Sequence, residues 1–291
     1  MLKHFLSLTF AIVPGLCAIT IAHAQSLTEA WRATGFVMPE SASYDPGTNA
    51  LYVSNINSPD MSPNGQGYIT QLGLDGTVMK EKFAEGLNAP KGTFVAGTTL
   101  YVAGVEEVVE IDLSSGQVTT RHAVPGATFV NDLAVAEDGT IYATETMQGA
   151  IYTIANGTAT QFVADPALAG ANGILIDGGR LLIATLGDIS GGFQNLKPSN
   201  IKAVDIATKA ITDFGSAEPV GTLDGIEPVQ GGVLVTDNGG GRLVKVAEDG
   251  TATEIGQTGA GSADFEFVAD QNLVVIPLLN SSEVVAYTYA P

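Results

Sequence analysis

The sequence predicts an all-β fold, a six-bladed β-propeller, on three observations. Six short apolar strands recur at intervals of 40 to 52 residues, each follows a tight turn, and no convincing amphipathic helix interrupts them. The strands begin Leu51-Tyr52-Val53, Leu100-Tyr101-Val102, Ile141-Tyr142-Ala143, Leu181-Leu182-Ile183, Val233-Leu234-Val235 and Leu273-Val274-Val275. Turns such as Asp45-Pro46-Gly47, Glu137-Asp138-Gly139 and Asp177-Gly178-Gly179 precede them, with another apolar run before each turn. Every marker is therefore expected to be the second strand of a hairpin. A third strand follows, as Tyr68 to Leu74 before Asp75-Gly76 or Val108 to Leu113 before Ser114-Ser115-Gly116, and a more polar fourth closes the unit. The last unit holds three such strands, and Glu29 to Val37 holds a spare one ahead of the first unit. The spare strand is expected to complete the last blade and close the ring, which removes exposed sheet edges. A β-sandwich would give no reason for six similar units.

Residues 1–24 read as an export signal and residues 25–291 as the propeller. Lys3 supplies a positive start, Phe5 to Ile21 is apolar, and Ala22-His23-Ala24 has the small-x-small form of a cleavage site. Pro14-Gly15 interrupts the apolar stretch, leaving it short of the roughly 20 residues that a membrane-spanning helix needs. The protein is thus expected to be exported, periplasmic or secreted, with no membrane association after cleavage. Cleavage would remove the only cysteine, Cys17, together with His4 and His23, leaving His122 alone. That composition excludes an intrachain disulfide, a thiolate nucleophile and a zinc site rich in Cys or His. His122, in the segment Thr119 to Ala123, is expected on a solvated outer strand. With 12 basic and 31 acidic residues the formal charge is −19, a field that repels nucleic acid and anionic lipid.

Candidate site residues come from asking what polar residue stands at the start of each innermost strand. Counting back from the markers gives Glu40, Lys91, Asn131, Asn172, Asp224 and Asp264, at offsets of 11, 9, 10, 9, 9 and 9 residues. In a propeller such residues line the central channel at one depth. Carboxylates crowded on an axis repel each other and are costly to bury without a cation. Carboxylate and amide oxygens are the donors that Ca²⁺ takes, about 6 to 8 at a time with water, while Mg²⁺ and Mn²⁺ share the preference for oxygen. Glu40, Asn172 and Asp224 are the expected direct metal ligands, with Asn131 at the metal's edge and Asp264 an additional ring residue. Alternatively Lys91 and water neutralise the ring, making a polar plug.

These residues also carry a resemblance. Pro39-Glu40, Asn131-Asp132-Leu133-Ala134-Val135 with Asp138-Gly139, Asn172-Gly173-Ile174 and Leu223-Asp224-Gly225-Ile226 together resemble the family of senescence marker protein 30, gluconolactonases and luciferin-regenerating enzymes. Paraoxonases and strictosidine synthases are more distant. The resemblance spans residues 25–291 and implies a six-bladed propeller with one catalytic Ca²⁺ or Zn²⁺, hydrolysing a lactone or ester as its small-molecule substrate. Carried over by motif, Glu40, Asn172 and Asp224 would hold the metal, while Asn131 and Asp132 would face the substrate. Asp224 would also activate water, with Asp132 as second candidate base. Sugar-lactonase members often have an arginine two places before the matching Asn-Asp pair, where this chain has Phe129. Lys91 has no family role; it is expected to bind an acidic substrate group or oxyanion, or to pair with a ring carboxylate.

Two long loops, Ser54 to Gly67 and Thr185 to Ser199, are expected on the face where the innermost strands begin. Asp237-Asn238-Gly239-Gly240-Gly241 lacks phosphate-loop spacing and reads as a tight hairpin. The reading from a different functional class is a non-enzymatic exported binding or scaffold propeller with a structural metal.

Overall fold

A computed structural model describes residues 26–291, so the proposed export signal lies outside the described residues. β1 (Ser26–Thr34) precedes six hairpin-rich units. The first blade is β2 (Pro39–Asp45), β3 (Ala50–Asn55), β4 (Gly67–Gly73) and β5 (Val78–Leu87). The second is β6 (Thr93–Ala96), β7 (Thr99–Ala103), β8 (Glu107–Asp112) and β9 (Val118–Ala123). The third is β10 (Val130–Val135), β11 (Ile141–Glu145), β12 (Ala150–Ala155) and β13 (Thr158–Ala164), and the fourth β14 (Ala171–Asp177), β15 (Arg180–Thr185), β16 (Lys202–Asp205) and β17 (Ile211–Asp213). The fifth is β18 (Leu223–Val229), β19 (Gly232–Asp237), β20 (Arg242–Ala247) and β21 (Ala252–Gln257). The sixth contains β22 (Glu266–Val268), β23 (Leu273–Leu278) and β24 (Glu283–Ala290), and β1 pairs antiparallel with β24 as its fourth strand. All six markers lie in second strands, and the ring closes through the N-terminal strand as expected. Among the described residues no helix is long and apolar enough to cross a membrane.

Six apolar clusters hold the ring together, one at each blade interface. Strand alternation supplies both sides of every interface. In the first blade Leu51 and Val53 face the sixth, while Tyr52 packs with Leu100 and Val102 of the second. In the fifth, Val233 and Val235 face the fourth while Leu234 faces the sixth. The sixth blade runs one residue out of step with the expected marker: Val274 and Ile276 face the fifth blade, and Leu273 and Val275 face the first. A one-residue shift exchanges the two faces of a strand.

At the start of four innermost strands the ladder slips by one residue, forming a bulge. The slips fall at Glu40-Ser41, Asn131-Asp132, Asn172-Gly173 and Asp224-Gly225. A bulge turns side chains that strict alternation would send into the blade, and here it aims the polar residue at the axis. The extra N–H of each bulge needs an acceptor. Ser54, Thr144 and Thr236 of the adjacent second strands provide hydroxyl oxygens for Ser41 N–H, Asp132 N–H and Gly225 N–H, at 2.9 to 3.0 Å.

Neighbouring blades approach so closely here that in three of them a glycine stands just after the ring residue. A Cβ on Gly173 would stand 2.2 Å from Asp224 O, and one on Gly92 would stand 2.6 Å from Asp132 Cα. A Cβ on Gly225 would stand 2.9 Å from Asp264 Cα. Gly173→Ala is therefore expected to destabilise the fold by about 3 kcal/mol, the range of overpacking at a site that cannot yield. Gly179→Ala, with nothing within 4 Å of its Cβ, is expected to change stability by less than about 1 kcal/mol; chemical denaturation of the two variants makes the comparison.

A polar ring sealing the central channel

Five of the six expected ring residues share one depth. Glu40, Lys91, Asn131, Asn172 and Asp224 each stand two places before the residue paired with the third position of their marker, as in Ala42↔Val53, Thr93↔Val102 and Ile226↔Val235. Each is buried. Asp264 does not belong to this ring, which corrects the expectation for the sixth blade. Its N–H donates to Glu40 O at 2.9 Å as Gly92 N–H donates to Asn131 O at 2.8 Å. Asp264 therefore occupies the position just after the ring, like Gly92 and Asp132, and Ala263 stands at the ring position. The uninterrupted apolar run from Leu273 to Ile276 conceals this slip from a count of residues.

Below the ring lies a cavity of about 810 Å³, running along the innermost strands towards their C-terminal ends. Asp132, Asp264, Glu227, Glu266 and Glu137 are among its lining residues, with no lysine, arginine or histidine. Asp132 and Asp264 form its roof and are satisfied by protein donors. Asp132 Oδ1 accepts from Leu133 N–H at 2.7 Å and Oδ2 from Ile174 N–H at 2.9 Å. Asp264 Oδ1 accepts from Phe265 N–H at 3.0 Å and Oδ2 from the Ser41 hydroxyl at 2.6 Å. Deeper in the cavity, Glu266 Oε2 accepts from Tyr44 N–H at 2.8 Å.

The ring itself is not satisfied. Glu40 Oε2, Asn131 Oδ1 and Asp224 Oδ1 are shielded from solvent and have no hydrogen-bond partner. Each such group costs about 1–3 kcal/mol, and more when charged. The remaining atoms of two of these side chains are anchored: Asn131 Nδ2 donates to Thr146 Oγ1 at 2.9 Å, and Asn238 Nδ2 donates to Asp224 Oδ2 at 2.8 Å. Asn172 stands beside Asp224 and works against the rise that burial gives its carboxyl. Among the described residues no three His, Cys, Asp or Glu side chains form a metal-binding group, so a cation here draws on amide oxygen as well as carboxylate. Two carboxylates and one amide, all oxygen and all unpaired, fit the donor preference of a hard divalent cation.

Lys91 is 1% exposed and forms no salt bridge. Its Nζ donates to Ala89 O at 3.1 Å and lies 4.4 Å from the centre of the Phe129 ring, a cation–π contact. Of the roles expected for it, the ion pair with a ring carboxylate is thus not formed. His122 does lie on an outermost strand, β9, but it is 9% exposed and its Nε2 lies 2.6 Å from Glu110 Oε1, so it is not solvated. The hairpin after β19 is tight as expected, yet it also carries Asn238, which sequence reasoning missed. Glu227 and Glu266 were missed too; their signal was their place three residues past the ring positions Asp224 and Ala263 on the same innermost strands.

Burial dominates the titration of the whole cluster. It raises Asp224 to about 8, assisted by Asp264, and Asp264 to about 7. Glu266 rises to about 7 through burial and Asp264, and burial likewise holds Glu40, Asp132 and Glu227 well above the ordinary carboxylate range. Lys91 falls to about 8 through burial, against the attraction of Glu40. Acids raised in the folded state bind more protons there than in the unfolded chain, so their ionisation removes stability as pH rises from about 4 towards 8.

Structural comparison gives this fold known counterparts. A gluconolactonase from Xanthomonas campestris superposes with a TM-score of 0.70 at 16% identity, covering 92% of this chain and 95% of that one. A protein solved as a candidate gluconolactonase superposes at 0.67 with 14% identity, covering 91% and 92%. A streptogramin B lyase superposes at 0.64 with 13% identity, covering 91% and 98%. No protein-family model matches the chain, and no curated protein matches it in sequence. Identities this low establish the six-bladed fold alone.

The titration above predicts a cation-sensitive stability. In chelator-treated protein the melting temperature is expected to fall between pH 5 and pH 8, and added Ca²⁺ is expected to raise it most at pH 8. Differential scanning calorimetry across that range makes the measurement; a flat profile unaffected by divalent cations would remove the argument for a cation in the ring.

Proposed function

We propose that this chain is a metal-dependent hydrolase of lactones or esters, working at the polar ring of its channel. The observation that carries the reading is the trio of unpaired, buried oxygens on Glu40, Asn131 and Asp224, on a fold shared with gluconolactonases. Glu40, Asn131 and Asp224 would hold the cation, with Asn172 beside Asp224; Ca²⁺ fits the all-oxygen donor set best, and Mg²⁺, Mn²⁺ and Zn²⁺ are the alternatives to try. When bound, such an ion polarises a carbonyl and lowers the pKa of water.

The chain's own groups supply orientation and proton transfer. Asn238 fixes the orientation of the Asp224 carboxylate, the candidate base that takes a proton from the attacking water. Thr146 anchors the amide nitrogen of Asn131 and so fixes which way its oxygen faces. Asp132, the second candidate base, already accepts two backbone N–H groups; its role in this reading is to hold β10 against β14. Lys91 places a positive charge beside Phe129 next to the ring, where it would attract a developing oxyanion.

The lyase fold relative supports a different chemistry less well. A virginiamycin B lyase from Staphylococcus aureus, 15% identical, is catalytically inactive when a histidine is replaced by alanine. Here His122, the one histidine among the described residues, is tied to Glu110 on an outermost strand.

The test is hydrolysis of a lactone and ester panel by chelator-treated protein with each divalent cation restored in turn. Asp224→Asn is expected to lower kcat by about 10³-fold, within the usual range for losing a general base, while Asn238→Ala lowers it by roughly tenfold. Asp132→Asn is expected to reduce stability more than turnover. Cation-dependent stability without turnover of any substrate would instead support a binding or scaffold propeller with a structural metal.

A further inference from the structure

Three of the five large apolar side chains exposed in the described structure stand on one face of the propeller, around the mouth above the ring. Val37 is 41% exposed, Met147 50% and Phe193 47%; the other two, Val78 and Met79, lie on the outermost strand β5. Val37 stands three residues before Glu40 and is held by Asn55 Oδ1 and the N–H of Asn57. Met147 follows Thr146, the residue that anchors Asn131. Phe193, in the long loop after β15, reaches the Phe129 ring with centroids 5.5 Å apart.

Phe129 is itself fixed. Its N–H donates to the buried Glu145 Oε1 at 2.8 Å, and its carbonyl accepts from Thr146 N–H at 3.1 Å. Lys91, Phe129 and Phe193 thus form a continuous stack from the ring outward. On the opposite side the long loop after β3 sets Met61 against Ile56, Ala89 and Val105, beside Met38 and Leu279. Both long loops, expected on this face, therefore bring apolar side chains to it.

Several polar groups of these loops fold the loops themselves. Asn57 donates to Gln66 O, Asp60 accepts from Ser58 and Ser62, Asp188 accepts from Ser190 and Lys197, and Asn195 donates to Gly191 O. All four arginines are paired with carboxylates away from the ring. A polyhydroxylated ring, which needs many free donors and acceptors, finds few here. An alkyl or aryl substituent finds a wall that gains by losing water.

We propose that the mouth selects lactones or esters bearing an apolar substituent, with Phe193 and Met147 as specificity-determining residues. This rests on the hydrolase reading above. Its test uses three six-membered lactones that differ only in their decoration: δ-decalactone, bare δ-valerolactone and glucono-1,5-lactone. With the activating cation restored, kcat/KM for δ-decalactone is expected to exceed that for δ-valerolactone by at least about tenfold, a factor within the range of hydrophobic pocket discrimination. Glucono-1,5-lactone should be the poorest. Phe193→Ser and Met147→Ser should each lower the ratio of kcat/KM for δ-decalactone to that for δ-valerolactone severalfold, the loss appearing in KM for δ-decalactone. Preference for glucono-1,5-lactone, or an equal loss on all three substrates in Phe193→Ser, would overturn the proposal. Should wild type hydrolyse none of them, the hydrolase reading fails, and saturation-transfer NMR still reads the mouth. Binding of δ-decalactone that Phe193→Ser abolishes supports the apolar selection; absent binding, or stronger binding of glucono-1,5-lactone, refutes it.

Discussion

The structure is organised around an electrostatic conflict on its axis. Glu40, Asp224, Asp132, Asp264, Glu227 and Glu266 crowd the ring and the cavity beneath it, and Lys91 is the one cationic side chain in the ring. The blades cannot move apart to relieve this repulsion. Their innermost strands are locked by interblade bonds such as Asp264 N–H to Glu40 O and Ile174 N–H to Asp132 Oδ2, and by glycines whose neighbours leave no room for a Cβ. Six apolar clusters press the blades inward, so hydrophobic burial at the interfaces sustains polar strain at the centre.

That strain is distributed unevenly. In the layer just after the ring, Asp132 and Asp264 each have both oxygens satisfied by backbone or hydroxyl donors. In the ring layer, one residue earlier along the innermost strands, Glu40, Asn131 and Asp224 each keep an oxygen free. A plug that merely balanced charge would pair Lys91 with a carboxylate, the cheapest arrangement for a buried cation. Lys91 instead turns to a carbonyl and an aromatic face. The lower layer thus holds blades together, while the upper layer leaves three of its acceptors without a protein partner.

Much of this was legible because a propeller turns a linear count into depth. The six units, the ring closure and five ring residues follow from marker strands whose alternation fixes phase, as Tyr52 between Leu51 and Val53 does. The phase failed where alternation is silent: Leu273-Val274-Val275-Ile276 offers four equivalent apolar residues, and Asp264 consequently appeared one position too high. Asn238 escaped notice because a Gly-rich turn explains itself locally, whereas its amide serves Asp224 fourteen residues earlier. Likewise His122 sits on the strand expected of it, yet only the three-dimensional pairing of β8 with β9 brings Glu110 to its ring.

The bulge connects these successes and failures to function. Without the extra residue at Asn131-Asp132 or Asp224-Gly225, strict alternation would send one member of each pair away from the axis. With it, successive residues share the channel, one layer above the other. A single irregularity, repeated around the ring, therefore produces both the satisfied layer that rigidifies the channel and the unsatisfied layer above it. The Ser and Thr hydroxyls of the second strands are what make this arrangement affordable in the first, third and fifth blades, since each accepts the N–H that its bulge would otherwise orphan. Two of them, Thr144 and Thr236, also donate to a carbonyl of the next blade, so the groups that stabilise the bulge also fix the spacing between neighbouring ring positions.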